Sequence, residues 1–283
     1  VNPTAYGVAA CAFDARHNRL YFAPMHFSDI YYLDLSSKDA NFTIVKKSII
    51  PTISTSNYQT EENHITRMVF AADGYGYALT NDAKHLIRFT TDKNPTVEDL
   101  GQIADAPNNS ISFSDKLSAW GGDMVADANN NLYMISMKGN VFKINTKTLT
   151  ADFIGKISNI PADFSINGAA VNNEGKVTVS CATKADIYYS VDMNTLEAEA
   201  ITSSQNTVYN ASDLASSNLL FAKSVANALN DNGQLGVYPN PVTNRTFNVT
   251  FDAMSKGNYT VALVNASGSN VMSKMVNVSG KSI

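Results

Sequence analysis

Charge is scarce in this chain: only 16% of its 283 residues are Asp, Glu, Lys or Arg, and the formal net charge is −4. No basic stripe is available to neutralise phosphates, which argues against nucleic-acid binding. Long apolar runs are missing too. The longest, such as Gly7 to Phe13, are strand-sized, far short of the roughly 20 residues of a membrane-crossing helix. Two cysteines, Cys11 and Cys181, are too few for a disulfide scaffold. Both sit in apolar strand patterns and read as buried free thiols. The four histidines show neither His-x-His nor His-Glu-x-x-His spacing, so no metal site is expected. His17 and His85 fall in turns, where solvated side chains are expected. A Gly-x-Ser-x-Gly elbow and a phosphate loop are absent, and no cofactor is expected. Asp73-Gly74 lacks the spaced carboxylates of a calcium loop and reads as a hairpin turn. The chain opens at Val1 with no charged and apolar leader, so a signal peptide has been removed or lies upstream.

What is present is a repeat. Ala9 to Phe22, Met68 to Leu79, Met124 to Ile135 and Ala169 to Val179 each run from a small-residue strand through a polar turn into a second strand. A shorter fifth copy spans Ala211 to Phe221. Aligned on the second strand, Tyr21, Tyr77, Tyr133, Thr178 and Leu220 are separated by 56, 56, 45 and 42 residues. Third strands follow at Ile30 to Leu35, Leu86 to Thr91, Val141 to Thr146 and Ile187 to Asp192. Edge-like fourth strands follow at Phe42 to Lys46, Val97 to Ile103, Ala151 to Ile157 and Glu197 to Thr202. Gly74, Gly139 and Gly175 stand where tight hairpins need positive φ. Four short antiparallel strands per repeat of this length describe a β-propeller blade. The stretch Asn131 to Thr146 resembles the blade pattern of the quinoprotein and YVTN-repeat propellers. The blade-docking tryptophans of the quinoprotein dehydrogenases are missing, which argues against that activity.

The expected fold is all-β: a propeller of five to seven blades over residues 1–224, of which four full blades and part of a fifth are visible, followed by a second domain. Either the fifth blade is incomplete, or sequence upstream of Val1 completes it or adds others. Residues 225–234, rich in Asn, Asp, Ala and Gly, read as a linker. From Leu235 the chain alternates with period two through Phe247 to Phe251, Tyr259 to Leu263 and Met275 to Val278. That pattern predicts a small Ig-like β-sandwich, whose edges can pair with other β surfaces.

This second domain opens on Tyr238-Pro239-Asn240-Pro241 and continues through Gly257-Asn258-Tyr259 to a turn at Gly268. With these residues, 235–283 resembles the type A C-terminal sorting domain of the type IX secretion system of Bacteroidota. The resemblance implies passage through the periplasm and recognition by the secretion translocon and its outer-membrane barrel shuttle protein. Release or anchoring to surface lipopolysaccharide would follow, giving a secreted or cell-surface location. The family's last strands, including a Gly-x-Tyr strand, do not follow Val278, so the domain reads as incomplete.

Within the propeller, residues just before each inner strand are expected at one mouth of the central channel. Arg67, Trp120 and Asp123, with Asp213 nearby, form a candidate polar and aromatic rim for a glycan or peptide. The competing structural reading packs Trp120 between blades and uses Gly121-Gly122 only for close backbone approach. The tyrosine pairs Tyr31-Tyr32 and Tyr188-Tyr189 are expected in inter-blade packing. The preferred function is a non-catalytic binding or adhesion propeller exported as type IX cargo. The alternatives are a propeller hydrolase or lyase using Asp123 with Asp213, and a chain of interest mainly as a substrate held by its export machinery.

Overall fold

The computed structural model describes residues 2–39, 41–50, 61–184, 186–201, 211–222, 236–238, 246–251, 257–264 and 270–278. The chain divides into two compact units, Val1–Ala222 and Lys223–Ile283.

The first unit is a row of four blades. The first is β1 (Val8–Asp14), β2 (Arg19–Pro24), β3 (Ile30–Asp34) and β4 (Phe42–Lys46), and the second is β5 (Ile65–Phe70), β6 (Gly76–Thr80), β7 (Leu86–Phe89) and β8 (Val97–Asp99). A short strand β9 (Ala104–Asp105) and a single helical turn, α1 (Lys116–Ala119), lead into the third blade. That blade is β10 (Asp123–Ala126), β11 (Asn131–Ile135), β12 (Asn140–Asn145) and β13 (Thr150–Lys156). The fourth is β14 (Gly168–Val171), β15 (Val177–Ser180), β16 (Tyr189–Asp192) and β17 (Glu197–Ala200). Each is an antiparallel meander in chain order, and β9 adds a parallel fifth strand to the outer edge of the third. Innermost strands lie side by side, β1 on β5, β5 on β10 and β10 on β14, which is the propeller arrangement.

Turn chemistry sets these meanders. Asn18, Gly74, Asn130 and Gly175 all take positive φ at the first hairpin of their blades, the conformation that Asn and Gly adopt at least cost. A preceding Asx side chain closes three of the turns. Asp14 Oδ1 accepts from the Arg16 amide at 2.9 Å, and Asn172 Oδ1 from the Lys176 amide at 2.9 Å. Asp127 does most: its carboxylate accepts from the amides of Asn129 and Asn131, from Asn131 Nδ2 and from the Tyr133 hydroxyl. With four donors left unpaired, Asp127→Ala is expected to destabilise the propeller by about 1–3 kcal/mol, read from the shift of the urea midpoint.

Three cores alternate with the blades. Tyr21 meets Phe70 and Phe89, with centroids 5.3 and 5.5 Å apart, between the first and second blades. Leu79 and Leu86 pack with Met134 and Phe142 between the second and third. Tyr133 and Ile135 pack with Val179 and Val191 between the third and fourth. Tyr189 packs edge-on against Phe164, and Tyr32 lies against Tyr21. Both cysteines are free thiols; Cys181 is buried and Cys11 half-buried. His17 and His85 are not simply solvated: their Nδ1 atoms pair with Asp14 at 2.7 Å and Asp99 at 2.6 Å.

Among the described residues the first unit forms four four-stranded blades. The fifth copy forms no hairpin. Ser212 Oγ donates to Val8 O on β1, and Ser180 Oγ on β15 donates to Ala211 O. Asn218 Nδ2 donates to Val171 O on β14, and Leu220 forms a single parallel bridge with Asp127 beyond β10. Ala211–Phe221 is therefore a strap that touches the first, fourth and third blades in turn. The reason is compositional. Its apolar stretch is too short for two paired strands, so the fully buried Leu220 is used as a plug for the neighbouring core.

In the second unit, β18 (Gly236–Tyr238) pairs antiparallel with β19 (Asn248–Thr250), and β20 (Gly257–Val264) with β21 (Asn270–Val278). Phe251 and Val278 are buried. The linker residues 225–234 lie outside the described residues.

Candidate functional site

The residues expected at the channel mouth do converge, but inside the wall between blades. Arg67, on β5, is 1% exposed. Its Nη1 donates to Thr80 O at 3.0 Å; Nη2 donates to Ala119 O at 3.0 Å and Gly121 O at 2.8 Å, and Nε also reaches Gly121 O at 3.2 Å. A guanidinium can serve several carbonyls at once because its five donors lie in one plane. Arg67 thereby ties the second blade to the segment entering the third. Burial lowers its pKa to about 10, while Asp123 and Asp82 act to raise it, so it stays charged at neutral pH.

Trp120 is 8% exposed, with Lys116 Nζ 4.5 Å from its ring centroid. Gly121 and Gly122 both have positive φ, and a Cβ on Gly122 would stand 1.8 Å from Ile135 O. The Trp-Gly-Gly segment therefore serves close backbone approach, with Asn81 Oδ1 accepting from the Gly121 amide at 2.8 Å.

Asp123, at the start of β10, is fully buried. Its oxygens accept from the Met124 amide at 2.7 Å and the Ala169 amide at 2.6 Å, bridging the third and fourth blades. Asp213, on the strap, accepts from the Leu214 amide at 2.7 Å and from the Cys11 amide. The two carboxyl groups are hydrogen-bonded to each other. Burial pushes Asp123 up to about 7 and Asp213 well above the usual carboxylate range; the Asp123 charge raises Asp213 further. Asp213 keeps the shared proton, and Asp123 accepts its hydrogen bond beside Arg67. Two carboxyl groups of unequal pKa are also what acid–base chemistry uses. Here every oxygen already faces a main-chain donor or its partner. The space on the axis below, between the inner strands and Leu214 to Asn218, is about 10 Å³, room for at most one water.

Open space lies elsewhere at this end of the propeller. The β11–β12 turn and the connection from β13 to β14 enclose a cleft of about 260 Å³ beside the third blade. Met137, Ile160, Pro161 and Phe164 supply apolar walls, and Lys138 and Lys156 stand exposed beside them. Sequence reasoning missed it. Its only signal was Lys138-Gly139 in a hairpin facing a Pro-containing connection.

Of the sorting-signal residues, Gly257 opens β20, and Tyr238 and Tyr259 stand in β18 and β20. Pro239, Asn240, Pro241 and Gly268 lie outside the described residues. Residues 236–283 match the family described as a secretion system C-terminal sorting domain. This chain thus carries a type IX export address, interacts with that system, and is exported to the cell surface or secreted. Among the described residues no helix is long and apolar enough to cross a membrane.

No curated protein matches the chain. Among solved structures, a protein of unknown function from Bacteroides thetaiotaomicron is 14% identical with a TM-score of 0.49, over 75% of this chain and 55% of its own. Virginiamycin B lyase from Staphylococcus aureus is 11% identical with a TM-score of 0.40, over 72% of this chain and 59% of its own. The chain thus spans under two thirds of either structure, and likeness at this level says nothing about activity.

Proposed function

We propose that this exported propeller is a binding or adhesion protein with no catalysis of its own. The observation that carries the reading is the engagement of its candidate acids. Asp123 and Asp213 spend their oxygens on the amides of Met124, Ala169, Leu214 and Cys11 and on each other, so neither is free to meet a substrate. They act as a clasp that seats the strap. Residues 1–224 form the propeller module, 225–234 the connector, and 235–283 the address read by the translocon and its outer-membrane barrel shuttle protein.

The ligand site of this reading is the cleft between the β11–β12 turn and the β13–β14 connection. Apolar walls with a few polar groups at the rim are the usual make-up of a small recognition site. Lys138 and Lys156 favour a glycan or peptide that carries negative charge, since the one carboxylate in the lining, Asp163, is paired with Lys184. Binding of the secreted protein to sulfated and acidic glycans and to acidic peptides tests this. Lys138→Glu with Lys156→Glu is expected to weaken the best ligand at least tenfold, or about 1.4 kcal/mol. Turnover of any panel member that Asp123→Asn abolishes would establish the hydrolase or lyase instead.

A further inference from the structure

The first blade carries a second concavity, a groove of about 600 Å³ over β3 and β4. Phe42 and Ile44 stand two apart on β4, and Ile44 pairs with Tyr31 on β3. Side chains two apart on a strand point the same way, so the floor is a sheet face and not a strand edge. Tyr31 itself is buried, its ring stacked 5.6 Å from that of Phe22. Two other segments raise the walls: Asn2–Tyr6 ahead of β1, and the β2–β3 turn through Phe27 and Asp29.

Both walls are fixed by their own hydrogen bonds. The Ala5 amide donates to Asn2 O at 3.2 Å and the Gly7 amide to Thr4 O at 3.0 Å, winding that segment into turns. The Met25 amide donates to Gly7 O at 3.1 Å, which ties the turns to the end of β2. Tyr6 meets Phe27 and His26, with ring centroids 6.2 and 6.5 Å away, yet is 58% exposed. Asp29 is pinned on both oxygens. Its Oδ1 accepts from the Ser48 amide at 2.8 Å, and Oδ2 from the Tyr31 hydroxyl at 3.2 Å. Walls ordered in advance lose little conformational entropy when a ligand enters.

The lining alternates rings with hydrogen-bonding groups. Tyr6 and Phe42, the latter 40% exposed, offer flat apolar surface. A carboxylate has about four acceptor sites, so Asp29 keeps capacity beyond its present partners. Exposed Asn41 and Lys47 bring amide and ammonium donors at the two ends of β4. A pyranose matches this pattern: its C–H faces are apolar, and the hydroxyls around its edge both donate and accept. Asp29 repels an acidic ligand and Lys47 a cationic one, which favours a neutral sugar. A sheet face offers no ladder of amides to a peptide backbone.

We propose that this groove on the first blade binds a neutral oligosaccharide. Tyr6 and Phe42 stack on the faces of its sugar rings, and Asp29 and Asn41 meet its hydroxyls. The groove shares no lining residue with the cleft beside Lys138 and Lys156 and takes a ligand of different charge. The inference does not depend on that cleft being occupied.

Calorimetric titration of neutral glucose, mannose, galactose and xylose oligosaccharides into the secreted protein tests this. At least one is expected to bind, and Tyr6→Ala with Phe42→Ala to weaken it about tenfold or more. Both side chains already face solvent, so that pair is expected to move the melting temperature by about 2 °C at most. Asn41→Ala, on an exposed side chain, is expected to weaken binding about threefold through one lost hydrogen bond. Lys138→Glu with Lys156→Glu is expected to leave it unchanged, and a loss there would assign the sugar to the cleft and overturn the proposal. So would the absence of any binding at about 5 mM oligosaccharide, or binding indifferent to the Tyr6 and Phe42 pair. A tyrosine- and tryptophan-rich peptide that binds more tightly than every sugar, and is lost with that pair, would overturn it in favour of a peptide.

Discussion

Replacing Arg67 with alanine is expected to destabilise the propeller by about 3–5 kcal/mol, a fall in melting temperature of roughly 10 °C. The magnitude follows from what the guanidinium leaves behind. Thr80 O, Ala119 O and Gly121 O all accept from it in a place with almost no access to water. An orphaned buried acceptor carries a full desolvation penalty. The Asp123 carboxylate loses its nearest compensating charge as well. Arg67→Met refills most of the volume but none of the hydrogen bonds, so it is expected to recover only a minor part of the loss. Arg67→Lys keeps the charge with three donors on a single nitrogen, which cannot span carbonyls from both the β6 end and the segment before β10. A loss below about 1 kcal/mol for the alanine variant would mean that water reaches those carbonyls.

The second large effect is on pH dependence. Stability is expected to fall as pH rises from about 5 to 8, opposite in sign to the trend from salt-bridged carboxylates. The native Asp123–Asp213 pair holds a proton that the unfolded chain has released above its ordinary carboxylate pKa of 3.8. Over that window the native state binds more protons than the unfolded state, so unfolding is favoured by about 1.4 kcal/mol per pH unit for each proton retained. The contribution is fully present below the unfolded pKa and fades as pH rises through about 7, to which Asp123 is raised; Asp213 extends the window upward. Urea midpoints at pH 5, 6, 7 and 8 read the slope. Asp213→Asn is expected to flatten it, because an amide has no proton to lose. The same variant should be less stable than wild type at pH 5, since its Nδ2 cannot accept from the Cys11 or Leu214 amide. An unchanged slope in Asp213→Asn would rule out the shared proton as its source.

Much of this molecule is written locally. Asp14, Asp127 and Asn172 announce their hairpins because an Asx side chain bonds to amides two to four residues on. Asn18, Gly74, Asn130 and Gly175 announce the left-handed turn position because their own backbone preference permits it. Apolar alternation marks each strand for the same short-range reason. The export address is equally local, being a contiguous run from Gly236 onward that matches its family.

The candidate site was legible only as a set of names. Arg67, Trp120, Asp123 and Asp213 do gather, since residues at equivalent repeat positions must converge near one end of the axis. Whether they line an opening or seal a wall depends on the strap, which approaches from more than 80 residues beyond Asp123. A polar side chain at the start of an inner strand looks the same in sequence in either case. Tertiary packing alone made Arg67 an internal clasp and gave the two acids one proton.

By itself, then, the sequence determined the strands, their turns, the repeat and the route of export, because each rests on interactions within a few residues or on one continuous motif. The tertiary structure decided the fate of Ala211–Phe221, the closing of the axis and the cleft beside Lys138 and Lys156. All three depend on which distant surfaces exclude water from one another, and burial of that kind has no local signature.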